Sequence, residues 1–297
     1  HEAADEVSAL LPDLSTVITP TAYDARWELL AFGISPAHDR PDFFEDVRVR
    51  QGIARCINRQ ALAQLVQGRV LEGFIPPDHP LHAEGATTWD YDPAAGQRLL
   101  ATAGWYDEDG DGVREAHGIP GLADGTPFEV SLTTTDDPLR VQVARRIQAD
   151  LAACGIRVAV EALSPNALFA PGPDGVLFGR RFDLAQFAWR ARADPLCDLF
   201  LSAQVPGAGH WDRPNVAGFL DDEYDAACLA ALEALPDSSD YAVGQREAQR
   251  IFSERLPVLP LFQRPKVVLA HAAIIGLSPD PTQASELWNL ERLDWRQ

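Results

Sequence analysis

The residues best suited to grip a ligand stand together in the stretch WRARAD: Trp189, Arg190, Arg192 and Asp194. An indole offers an apolar and π-rich wall, and guanidinium groups pair with carboxylates through a planar fork. Asp194 adds the opposite charge. The plainer alternative is a core tryptophan followed by solvated arginines, so the reading depends on the elements around it. A second cluster lies in DEDGDGVRE, where Asp107, Asp109, Asp111 and Gly112 match the first half of a calcium-binding loop. Position 12 of such a loop needs a bidentate acid, and here it is Gly118, with Glu115 at position 9. Hard oxygen ligands suit Ca²⁺, which would have a structural role if it binds. Asp/Gly-rich stretches also form good turns without any metal.

Catalytic signatures are missing. The chain holds no GxSxG, HExxH or GxxxxGK[ST] motif, and no GxGxxG after a strand. Its seven histidines are scattered. The expectation is a protein that is not an enzyme and needs no organic cofactor.

The elements that position WRARAD read as α/β. Phe128 to Thr134 alternates as a strand, Pro138 to Cys154 has helical periodicity closed by Gly155, and Ile156 to Leu163 alternates again. Strand, helix and strand with short joints predict a βαβ unit with parallel strands. Phe182 to Trp189 supplies a further strand, ending in the cations and the Asp194-Pro195 turn; ligands of open α/β sheets sit just beyond such carboxyl ends. Asp46 and Asn58 are placed to cap two helices, Asp92-Pro93 starts another that ends at Gly104, and Asp221 or Asp222 and Ser238 or Ser239 begin two more. Trp27 to Ile34 reads as a strand, and Glu6 to Leu14 as a helix or loop. FIPPDHP, Phe74 to Pro80, reads as an extended surface loop. Leu256 to Leu261 and Lys266 to His271 read as two proline-punctuated strands.

A net charge of −19 argues against nucleic acid or an anionic membrane as partner. No apolar run approaches the ~20 residues of a membrane span. The chain begins at His1 and contains no Met, which reads as a processed product or an excised fragment. The four cysteines have no metal-ligand spacing; buried free thiols are the leading expectation, with a Cys197–Cys228 disulfide as the favoured pairing if one forms.

The order of segments resembles the extracellular solute-binding proteins of family 5, the peptide, dipeptide and nickel receptors of ABC importers. The likeness rests on EDVRVRQGIARCINRQAL, FIPPDHP, YDPAAGQRLLATAGW with DEDGDGVRE, FDLAQFAWRARADP, NVAGFLDDEYDAACLAA and AQRIFSERLPVLPLF, in that order, between about residues 40 and 276. The resemblance implies the second lobe of a type II periplasmic-binding-protein-like fold, with a βαβ core and flanking helices. Residues 1–40 would be a first-lobe remnant and first hinge strand, 41–255 the ligand-binding lobe, and 256–297 the second hinge strand and return. The missing amino-terminal lobe, a peptide or other small solute and an ABC permease would be the partners of a monomeric protein. It would work outside the cell membrane, extracellular or periplasmic, anchored as a lipoprotein when full-length. In peptide-binding members an Asp three residues after the tryptophan pairs with the peptide amino terminus. Here that position is Arg192, so either Asp194 takes the role or the ligand presents a carboxylate to the arginines. An extracellular α/β hydrolase-like or calcium-dependent enzyme domain is the alternative; a closed pocket with perturbed acids would mark it.

Overall fold

The computed structural model describes residues 16–37, 40–190, 197–271, 273–280, 283, 285 and 287–296. In chain order the main elements are β1 (Thr16–Phe32), α1 (Val47–Cys56), α2 (Arg59–Leu65), β2 (Arg69–Val70), α3 (Pro93–Thr102), β3 (Trp105–Tyr106), β4 (Glu115–Ala116), β5 (Glu129–Thr135), α4 (Pro138–Ala152), β6 (Arg157–Leu163), α5 (Pro165–Leu168), β7 (Leu184–Arg190), α6 (Asp222–Glu233), α7 (Ser239–Arg255) and β8 (Val258–His271). The Glu6 to Leu14 segment lies outside the described residues.

The helices start where local chemistry says they should. Carboxylate or amide oxygens of Asp46, Asn58, Asp92, Asp137 and Asp221, and the hydroxyl of Ser238, accept backbone N–H groups of the first turns. Proline follows the cap in α3 and α4, where its missing N–H has no partner to lose. Gly104 and Gly155 follow α3 and α4 with φ of 96° and 84°, a region that a Cβ makes costly.

Six strands form one sheet in the order β2-β8-β1-β7-β5-β6. β5 pairs in parallel with both β6 and β7, so the βαβ unit and the Phe182 strand share a sheet as their periodicity predicts. β1 runs antiparallel to β7 and to β8. Beyond Arg26 the partners of β1 are on β8 alone, so the two long strands leave the sheet together as a ribbon, ending with Thr16 opposite His271. The two proline-punctuated strands are therefore one strand of 14 residues. Pro260 and Pro265 fall at register shifts of the β1–β8 pair, where ladder bonds are already interrupted.

The core lies on both faces of the sheet. Trp105 stacks on Phe128 at 4.1 Å, Phe43 stacks on both, and a second aromatic group joins Phe74, Phe200 and Phe252. The FIPPDHP loop is surface chain in its later part only, because Phe74 and Ile75 are buried. Arg50 sits inside this core and donates to the carbonyls of Phe44, Glu45, Arg255 and Leu256. Burial lowers its pKa to about 10, which leaves it charged at neutral pH. It ties the segment leading into α1 to the end of α7.

The cysteines correct the free-thiol expectation. Cys56 is bonded to Cys154 and Cys197 to Cys228, so every thiol is oxidised. The first bridge joins the end of α1 to the turn after α4; the second joins a short 3-10 turn, Cys197–Phe200, to α6.

Candidate functional site

β7 carries the tryptophan to the end of the sheet. Trp189 is opposite Trp27 in the β1–β7 register, and its ring meets Phe187 edge-on at 5.3 Å. It is partly buried against the core, with one side left to the surface, while Arg190 is exposed. The Arg190 guanidinium donates to the carbonyl of Gln283 at 2.9 Å, so the carboxy-terminal segment comes up to this edge. Arg192 and Asp194 lie outside the described residues. The structure thus brings Trp189 and Arg190 to one end of the sheet but places them on opposite faces, Arg190 on the side of its partner Arg26.

A charged pocket that the sequence reading missed opens beside this edge. It has a volume of about 150 Å³ and is lined by Asp24, Arg26 and Glu28 of β1, Asp137 and Arg140 at the start of α4, and Arg264 of β8. It lies beyond the carboxyl end of β5, where ligands of open α/β sheets sit. Side chains alternate along a strand, so Glu28 and its partner Ala188 face the side opposite Trp27 and Trp189. Asp24 takes the Arg26 fork at 2.6 Å. Burial opposes ionisation of Asp24, but the hydrogen bonds and charge of Arg26 outweigh it and hold its pKa below the usual carboxylate value. Glu28 is almost fully buried and receives Arg140 at 2.8 Å and Arg264 at 3.1 Å. The available signal was the alternation of charge at 24, 26 and 28, which puts three ionised groups on one face of a strand.

The acidic loop gathers as its spacing suggests, with Glu115 joining Asp107, Asp109 and Asp111; one carboxylate oxygen from each lies within 4.8 Å of the others. The loop's own amides use these oxygens. Asp107 accepts from Gly110 and Gly112, Asp109 from Asp111, Asp111 from Val113, and Glu115 from Glu108. Arg157 adds a cation at 3.4 Å from Asp111. These bonds account for the turn geometry by themselves.

Among the described residues no helix is long and apolar enough to cross a membrane. A family model described as bacterial extracellular solute-binding proteins, family 5 Middle, matches residues 7–207. The di/tripeptide-binding protein 2 of Pseudomonas aeruginosa is 29% identical over 228 residues, which is 75% of this chain and 38% of that protein. The chain therefore spans well under half the length of this relative. Two solved structures share the architecture. The oligopeptide-binding protein AppA of Bacillus subtilis, in complex with a nonapeptide, superposes with a TM-score of 0.77 at 20% identity, over 99% of this chain and 55% of that one. NikZ of Campylobacter jejuni, in complex with Ni(L-His), gives 0.78 at 17% identity over 97% and 55%. The mixed sheet with its parallel β6-β5-β7 portion is the type II periplasmic-binding-protein fold, and the chain belongs to the family 5 bacterial extracellular solute-binding proteins.

Proposed function

We propose that this chain is the ligand-binding second lobe of a solute receptor, together with the two strands that hinge it to a first lobe. The whole protein captures a peptide or other small solute outside the cell membrane and delivers it to an ABC permease. The observation that carries this reading is the β1–β8 ribbon. Two long antiparallel strands run through the middle of the sheet and continue past it, which is how two crossing segments would connect a pair of closing lobes. Residues 1–40 and 256–297 then belong to the hinge and first lobe, and 41–255 to the second lobe. Capture needs binding and closure with no covalent step.

In this reading Trp189 supplies the apolar wall of the cleft, and Arg190, Arg192 and Asp194 supply its charges. The names of the relatives favour peptides, while a nickel–histidine complex bound to NikZ keeps other small solutes open. Two disulfides suit an oxidising compartment, extracellular or periplasmic. Membrane anchoring and a monomeric state complete the proposal.

The test is calorimetry of the full-length protein against di-, tri- and oligopeptides, repeated with Trp189→Ala and Arg192→Ala. Micromolar or tighter binding that falls at least about tenfold in both variants supports the assignment. Unchanged affinity for every hit in both variants removes WRARAD from the site.

A further inference from the structure

The hairpin of α6 and α7 carries an apolar patch on its outer side. Tyr224, Cys228 and Ala231 turn one side of α6 into the core. α7 packs on that inward side, where a Cβ on Gly244 would meet the Ala231 Cβ at 2.8 Å. Leu229 and Leu232 fall outside it and are 46% and 47% exposed, and Leu235, just past the helix, is 79% exposed. A single surface leucine needs no explanation. Residues three apart on a helix are neighbours, however, so Leu229 and Leu232 form one patch.

The charges around this patch have one sign. Between Arg213 and Arg246 the chain holds seven acids and no lysine, arginine or histidine. Glu233 stands one turn after Leu229 and Asp222 two turns before it, on the same side of the helix. Arg255 pairs with Asp221 and Glu223 at the start of α6. Asp222 and Glu233 have no cationic partner among the described residues.

Whatever covers such a face must bring apolar surface together with positive charge. A second copy in two-fold contact would set the same acids against one another. An anionic lipid surface is repelled for the same reason. A basic protein surface with a recess for the leucines meets both demands. Opposite charge steers the encounter, and the buried apolar contact then slows release.

We infer that the Leu229–Leu232 face of α6 docks on a positively charged, apolar surface at the outer side of the ABC permease. This inference rests on the receptor reading above and uses none of the WRARAD residues.

The test measures binding of the full-length protein to the ABC transporter encoded with it, held in nanodiscs. Binding should weaken at least about tenfold in the pair variant Leu229→Gln with Leu232→Gln. A similar loss is expected for Asp222→Lys with Glu233→Lys, and raised salt should weaken the unaltered protein. Leu65→Gln, at another half-exposed leucine, is the control and should bind as the unaltered protein does. Calorimetry with solute should give the same affinity in all variants, which separates docking from capture. Full binding in either pair variant overturns the inference, as solvated helix formers would behave that way. So does an unaltered protein that ignores the transporter, while the Trp189 and Arg192 panel judges the receptor reading separately. Equal binding to empty phosphatidylglycerol nanodiscs assigns the face to lipid instead. Self-association in sedimentation that the leucine pair abolishes assigns it to a second copy; either result overturns the inference. Should the leucine pair fail to fold, Ala226→Trp replaces it, adding bulk at an exposed position one turn from Leu229.

Discussion

Trp27 and Trp189 face each other across the β1–β7 pair, yet Trp27 is 1% exposed and Trp189 only partly buried. The same side chain thus stands in two settings on one sheet face, one enclosed and one open. Trp27 has β7 on one side and β8, at Gln263, on the other, whereas Trp189 stands next to the last residue of its strand. Trp27→Ala should cost about 3–5 kcal/mol, the usual cavity penalty for a large buried aromatic, and show as a lower denaturation midpoint. Trp189→Ala should cost less than about 2 kcal/mol and show instead as lost solute affinity. If the two variants melt alike, Trp189 is a core residue and the ligand wall has to be sought elsewhere.

What was legible in the sequence was local. Asp46, Asn58, Asp92 and Asp221 announce helix starts because a short acceptor side chain satisfies amides two or three residues away. The alternation of β5 and β6 around the α4 periodicity fixes the βαβ unit by the same short-range logic. The strand β8 was legible only in halves. Its prolines read as breaks, and that they fall at register shifts depends on β1, more than 200 residues earlier. Cysteine spacing carries no connectivity, so Cys56 finding Cys154 across 98 residues had no local trace. The charged pocket was hidden for the same reason, since Arg264 reaches Glu28 from 236 positions away. Of the WRARAD wall, Trp189 and Arg190 are placed at the sheet end, and Arg192 and Asp194 fall outside the described residues.

The two disulfides should differ in worth. Cys56–Cys154 closes 98 residues and Cys197–Cys228 closes 31. If the main effect is lost freedom of the unfolded chain, the longer loop stabilises by about 4–5 kcal/mol and the shorter by about 3–4 kcal/mol. Replacing both members of each pair by Ala, and comparing guanidinium midpoints, should rank the 56–154 variant as the less stable. Adding reductant should then lower the midpoint of either variant further, because each retains the other bridge. A reversed order would mean that native-state packing around Cys197 and Cys228 outweighs the loop term.

Arg50 supports a sharper prediction, because its guanidinium meets carbonyls from two distant stretches of chain. It joins Phe44 and Glu45, ahead of α1, to Arg255 and Leu256, where α7 ends and the chain turns toward β8. A lysine is a point charge on a flexible stem and cannot span four carbonyls with one ammonium. Arg50→Lys should therefore cost about 2–3 kcal/mol, and Arg50→Met about 3 kcal/mol or more, since buried carbonyls lose their donors. Urea denaturation followed by circular dichroism measures both. The neighbouring Gln51 side chain also donates, to the Glu254 carbonyl at 2.9 Å. It provides the control, as Gln51→Ala should cost no more than about 1.5 kcal/mol. An Arg50→Lys midpoint equal to that of the unaltered chain would mean that Gln51 and the packing around it, rather than the guanidinium, hold the start of α1 against the end of α7.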